Sequence, residues 1–157
     1  MVLFLVFDLV LPYYQKSAAK KIARKDKYDL STNNTWVYIK YNFMNIKVIT
    51  SSIPLVEVQE IAKEFYGSMI KGVVDIEKNI LALGGEYHMD ANLLLIEHGS
   101  RQKDVWGFNI HFTKPKDAWI EYTSLINIRP HANNNGMEVM DKSIRDVMKD
   151  IISSKII

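Results

Sequence analysis

Residues 72–85 read GVVDIEKNILALGG. Two apolar runs, one with Val73, Val74 and Ile76 and the other running from Ile80 to Leu83, flank the polar step Glu77-Lys78-Asn79. Short runs of this composition read as strands, and an Asn in the step tolerates the left-handed backbone of a tight reversal. The stretch predicts a β-hairpin. A hairpin in mid-chain means antiparallel pairing, and that decides the class of fold.

Upstream, IKVIT (46–50) is a short β-branched strand. Ser51 or Ser52 is placed to cap a helix whose first turn holds Pro54. Leu55, Val58, Ile61, Ala62 and Phe65 then recur at spacings of three and four, and Gly67 ends the helix. Downstream, DANLLLIEHG (90–99) predicts a second helix with Asp90 as N-cap, Leu93, Leu94 and Ile96 inward, and Gly99 as its stop. DVWGFNIHF (104–112) and AWIEYTSLINIRP (118–130) alternate as two further strands around the turn Lys114-Pro115-Lys116-Asp117. HANNNGMEVMD (131–141) reads as an exposed loop. A last helix begins at Asp141, with Ile144, Val147, Met148 and Ile151 as its apolar stripe. The order β-α-β-β-α-β-β-α predicts an α+β fold: a mostly antiparallel sheet with helices on one face.

The chain has 157 residues, enough for one domain with a real core, and 48% hydrophobic with 24% charged residues is ordinary for a soluble protein. The absence of cysteine excludes disulfides, thiolate zinc sites and a cysteine nucleophile, and it fits a cytoplasmic location. The net charge of +2 is uneven. Residues 1–43 hold seven Lys/Arg against Asp8, Asp26 and Asp29, whereas the remainder holds 13 basic and 15 acidic residues. The mildly acidic body offers no basic face, so no nucleic-acid partner is expected.

Residues 1–43 differ from the rest. Their apolar run, residues 2–14, is broken by Asp8 and Pro12 and falls short of the roughly 20 residues a bilayer span needs. The basic residues follow the run rather than precede it, unlike a secretory signal. One reading is an interfacial anchor, with Tyr13 and Tyr14 at the lipid surface. The favoured one takes 1–43 as a disordered or non-native extension and 44–157 as a single α+β domain starting at Met44, so membrane binding is expected only if the apolar run is native.

Several elements carry a resemblance: Asp75-Ile76-Glu77-Lys78; Gly84-Gly85-Glu86 with His88 and Asp90; Gly99-Ser100 followed by Trp106-Gly107 and Asn109; and Ser124-Leu125-Ile126-Asn127 leading to Arg129-Pro130. Across residues 46–151 the chain resembles a small bacterial family, a domain of unknown function. Residues 131–135 depart from its pattern, which has a serine and a glycine there. The resemblance implies the domain boundary near Met44 and no particular activity.

Glu86, His88 and Asp90 are the first candidate site. On an extended chain Glu86 and His88 point the same way, and a His beside carboxylates binds a divalent metal or serves as a general base. His111, or Asp75 and Glu77 of the hairpin, would have to complete such a site. The competing reading makes Asp90 a cap, Glu86 a favourable charge at a helix N-terminus and His88 a turn residue. Gly84-Gly85 lacks the following Lys-Ser/Thr of a phosphate loop and reads as a sharp turn or a close backbone approach.

The second candidate is a sheet face. If Trp106 and Phe108 meet the helices, then Asn109 and His111 face away from them, and Glu121, Asn127 and Arg129 would join them in a small-ligand pocket. The alternative is a structural network around Arg129 and Asn109. No nucleophile stands out, since Ser100 lacks a strand–elbow–helix setting, and no cofactor is indicated. Two functions remain: a binding or interaction module, homodimeric or with a protein partner at the open face or an edge strand, and a small enzyme or metal/ligand-binding protein using Glu86, His88 and Asp90 with His111 and Arg129.

Overall fold

The computed structural model describes residues 45–157. The expectations for residues 1–43 therefore lie outside the described residues. Within the described part, β1 (Lys47–Ile49), α1 (Leu55–Ala62), β2 (Met69–Asp75), β3 (Ile80–Leu83), α2 (His88–Glu97), β4 (Val105–His111), β5 (Ile120–Glu121) and α3 (Lys142–Lys155) follow one another. The five strands form one antiparallel sheet in the order β1-β3-β2-β4-β5. The fold is α+β.

The hairpin of residues 72–85 forms as its sequence predicts. Asp75 pairs with Ile80, and Asn79 takes a φ of 57° in the turn. Buried Asp75 organises that turn, its Oδ1 accepting from the backbone N–H groups of Glu77 and Lys78, both at 2.9 Å. Gly84 has a φ of 107°, and a Cβ there would overlap the Asn45 carbonyl. This is a close backbone approach that only glycine permits.

The helices divide between the two faces rather than sharing one. α1 and α3 cover Ile70, Val74, Leu81, Leu83, Phe108 and Ile110 through Val58, Ile61, Met148, Ile151 and Ile152. α2 lies on the opposite face, where Ala91 and Leu95 meet Val73, Ala82 and Val105. The cause is visible in β2 and β4, which are buried on both faces over most of their length and so need a layer on each side. α2 accordingly turns Ala91, Asn92 and Leu95 inward, not the predicted Leu93 and Leu94. α3 buries Met148, Ile151 and Ile152 and leaves Val147 43% exposed. α1 follows Pro54 without a side-chain cap from Ser51 or Ser52.

The predicted final strand over 118–130 shrinks to two residues. Beyond Glu121 the chain leaves the ladder for two 3₁₀ turns, Leu125–Asn127 and Pro130–Ala132. The side chain of Asn127 replaces the missing strand: its Oδ1 accepts from Gly107 N–H at 2.8 Å, and its Nδ2 donates to Gly107 O at 3.0 Å. The same Nδ2 lies 3.2 Å from Tyr122 O and 3.1 Å from Met137 O.

The C-terminal segment locks the first helix in place. Ile53 N–H donates to Lys155 O, Ile157 N–H to Ile53 O, and Leu55 N–H to Ile157 O, at 2.8, 3.1 and 2.7 Å. The buried Lys155 ammonium donates to Thr50 O at 2.9 Å. Among the described residues no helix is long and apolar enough to cross a membrane.

Candidate functional site

Strand register builds the site. Lys71 of β2 lies opposite Asn109 of β4, and Asn109 lies opposite Glu121 of β5. Directly opposed residues of antiparallel strands project to the same side, so these three form one row across the sheet. Met69 and His111 pair in the next row. The face is the one that carries α2, but beyond the apolar half that the helix covers.

α2 begins at His88 and not at Asp90. Asp90 is the third helical residue, and its buried carboxylate accepts from Tyr87 N–H at 3.0 Å. Starting the helix two residues earlier takes His88 off the extended chain and sets its Nε2 2.9 Å from Phe108 O. A carbonyl only accepts, so Nε2 carries the proton and donates. Burial pushes the His88 pKa down to about 4; the Phe108 carbonyl and the Asn109 side chain oppose this, and the Lys71 charge reinforces it. The ring is neutral at neutral pH.

Asn109 is the centre of the row and only 7% exposed. Its Nδ2 donates to Glu121 Oε2 at 2.8 Å and to Thr123 O at 3.3 Å. Both partners are acceptors, which fixes the orientation of the amide. Asn109 Oδ1 is enclosed and makes no hydrogen bond of good geometry among the described residues, although the Asn109 side chain favours the charged form of the neighbouring His88 ring. Glu121 Oε2 also accepts from His111 Nε2 at 2.9 Å, and that bond, with help from Asn109, holds the Glu121 carboxyl below the usual carboxylate range despite some burial.

Lys71 closes the other end of the row. Its ammonium donates to Glu86 O at 3.1 Å and lies 4.7 Å from the centre of the Tyr66 ring and 5.6 Å from that of Tyr87. Tyr66 OH donates to the same Glu86 carbonyl at 2.6 Å. No carboxylate lies within ion-pair distance of Lys71 among the described residues.

The predicted site residues thus separate. His88, Asn109, His111 and Glu121 come to one face, while Glu86 joins through its backbone carbonyl and Asp90 serves the start of the helix. Asn127 and Arg129 do not join them. Arg129 is 4% exposed at the far end of β4, donating to Ile126 O, Lys103 O and Val105 O and stacking 4.3 Å above the Trp106 ring. Asp75 is committed to the hairpin turn. Among the described residues no three His, Asp or Glu side chains gather as a metal site would require. Lys71 escaped the sequence reading, although a lone lysine inside the apolar run of β2 was the available signal.

The architecture is a small antiparallel α+β domain with a row of polar residues across three strands of its sheet. The chain belongs to the family described as Protein of unknown function (DUF5674), which matches residues 47–155. No curated protein and no solved structure matches the chain.

Proposed function

We propose that the domain is a binding module whose sheet face, centred on Asn109, takes a small polar molecule. The observation that carries this reading is the polar row itself, Lys71, Asn109 and Glu121 on three adjacent strands, in which the Lys71 ammonium has no carboxylate partner among the described residues. Such an ammonium donates strong, charge-assisted hydrogen bonds to an incoming polar or anionic acceptor. Binding is favoured over catalysis because the Glu86, His88, Asp90, His111 and Arg129 set lacks a common centre: Arg129 directs its donors to backbone carbonyls elsewhere.

The test is a solution titration. Isotope-labelled full-length protein is screened by NMR against a library of small neutral, anionic and zwitterionic polar molecules. Saturable shifts at the Asn109 side-chain amide and the His88 ring, absent in a folded Asn109→Ala variant, are expected. Shifts clustering elsewhere, or none at either group, overturn the reading.

A further inference from the structure

Residues 133–135 are consecutive asparagines followed by Gly136, and the fold treats each of them differently. Asn134 is 3% exposed and fully committed. Its Nδ2 donates among the carbonyls of Asn127, Gly136 and Glu138, each at 2.9 Å, and its Oδ1 accepts from Met140 N–H at 2.7 Å. Asn133 is exposed, but the nitrogen that follows it, Asn134 N–H, donates to Arg129 O at 3.1 Å. Asn135 is exposed too, and neither its side chain nor the N–H of Gly136 makes a hydrogen bond among the described residues. Gly136 also has no side chain to shield that nitrogen. The other described asparagines lack this combination. Asn92, Asn109 and Asn127 are buried and hydrogen-bonded, while Asn45 and Asn79 each precede a β-branched isoleucine.

We infer that Asn135–Gly136 is a site of spontaneous deamidation in the folded protein. Asparagine is a thermolabile residue, and its loss of ammonia needs an accessible carboxamide beside an unencumbered main-chain nitrogen. Gly136 N, having lost its proton to hydroxide, attacks Asn135 Cγ. The N–Cγ bond forms, the Cγ–Nδ2 bond breaks, and Nδ2 takes a proton from water and leaves as ammonia. Water then opens the resulting cyclic imide at either carbonyl. Opening at Cγ gives aspartate; opening at the main-chain carbonyl gives isoaspartate, in which the backbone runs through Cβ. Either way an ammonia is lost, a water is gained and a carboxylate appears. The isoaspartyl product also lengthens the main chain between Asn134 and Gly136, inside the loop that Asn134 Nδ2 closes on Gly136 O. Asn134 holds Asn127 O, Glu138 O and Met140 N–H as well, so the change reaches the knot that joins the turn after β5 to the approach to α3. Aspartate keeps the backbone length and leaves that knot as it was.

The experiment ages the full-length protein at mildly alkaline pH and maps its peptides by mass spectrometry, with isoaspartate detected by enzymatic methylation. A synthetic peptide of residues 131–141 gives the rate without the fold. Conversion at Asn135 is expected at a rate within tenfold of the peptide's, with Asn133 and Asn134 at least tenfold slower. Gly136→Ala is expected to keep the melting temperature, since an added Cβ meets nothing closer than Glu138 N at 4.0 Å, and to slow conversion tenfold or more. The isoaspartyl fraction is expected to exchange the Met140 amide hydrogen faster than fresh protein does, whereas Asn135→Asp exchanges it at the wild-type rate. An Asn135 carboxamide that survives more than tenfold longer in the folded chain than in the peptide overturns the inference. Conversion at an unchanged rate in Gly136→Ala overturns it as well. Unchanged Met140 exchange in the isoaspartyl fraction overturns the link to the Asn134 knot.

Discussion

Asn127 and Gly107 face each other as two strand residues would, exchanging two hydrogen bonds although one partner is a side chain. The pairing extends the β4 edge beyond β5 without a further strand and turns the following chain away from β4. Removing the carboxamide strands a buried N–H and several buried carbonyls at once. Asn127→Ala is expected to cost about 2–4 kcal/mol, read as a lower urea midpoint at unchanged slope. Asn127→Asp is expected to be no better, because its carboxylate would face the carbonyls of Gly107, Tyr122 and Met137.

The turn that delivers Asn127 also leaves no room for a side chain at Gly107. A Cβ there would sit 2.5 Å from Ser124 Cβ and 2.6 Å from Ser124 Oγ. Gly107→Ala is expected to destabilise by about 1–3 kcal/mol. Ser124→Gly should cost less by itself, and the double variant should recover much of the loss. A coupling energy of about 1–2 kcal/mol in that cycle is the expected signature of a steric cause. Purely additive effects would reject it.

His88 should make stability depend on pH in a defined window. The unfolded ring takes its proton near 6.5 and the folded ring near 4, so between those values the unfolded state binds more protons. The stabilisation is complete above pH 6.5 and is lost as pH falls toward 4. The loss is expected to be on the order of 2–3 kcal/mol, measured as the pH-dependent difference between wild type and His88→Gln in chemical denaturation. Parallel curves over pH 7 to 4 would show that His88 is not the cause.

Lys155 ties the end of α3 to the loop after β1. Lys155→Met keeps most of the aliphatic stem and removes the donor to Thr50 O. A loss of about 1–3 kcal/mol is expected, with faster hydrogen exchange at the amides of Ile53, Leu55 and Ile157. Unchanged exchange at those three amides would contradict the tie.

The elements were legible in the sequence wherever local chemistry decided them. The hairpin of 72–85 carried its own turn residues, with Asp75 and Asn79 in place. The placement of α2 was not legible in that way, because the run LLLIE suits either face of a sheet and only the two-sided burial of β2 and β4 assigns one. Local alternation placed Asn109 and His111 together, and Glu121 followed from the strand pairing. It misplaced Asn127 and Arg129 because it assumed that a strand would continue where one side chain had taken over the ladder. Lys71 belongs to the site through registry with Asn109, a relation across 38 positions that no local pattern contains.

The covering of Phe108 and Ile110 by Met148, Ile151, Ile152 and Ile156 has a consequence for the chain as it is being made. The strands leave the ribosome before the residues of α3 that shield their larger apolar side. Until then the nascent sheet shows the cell a greasy surface of the kind that recruits chaperones or aggregates. The emergence of α3 and the residues after it completes the cover of this sheet, and the interval before then is when the domain is most exposed to failure.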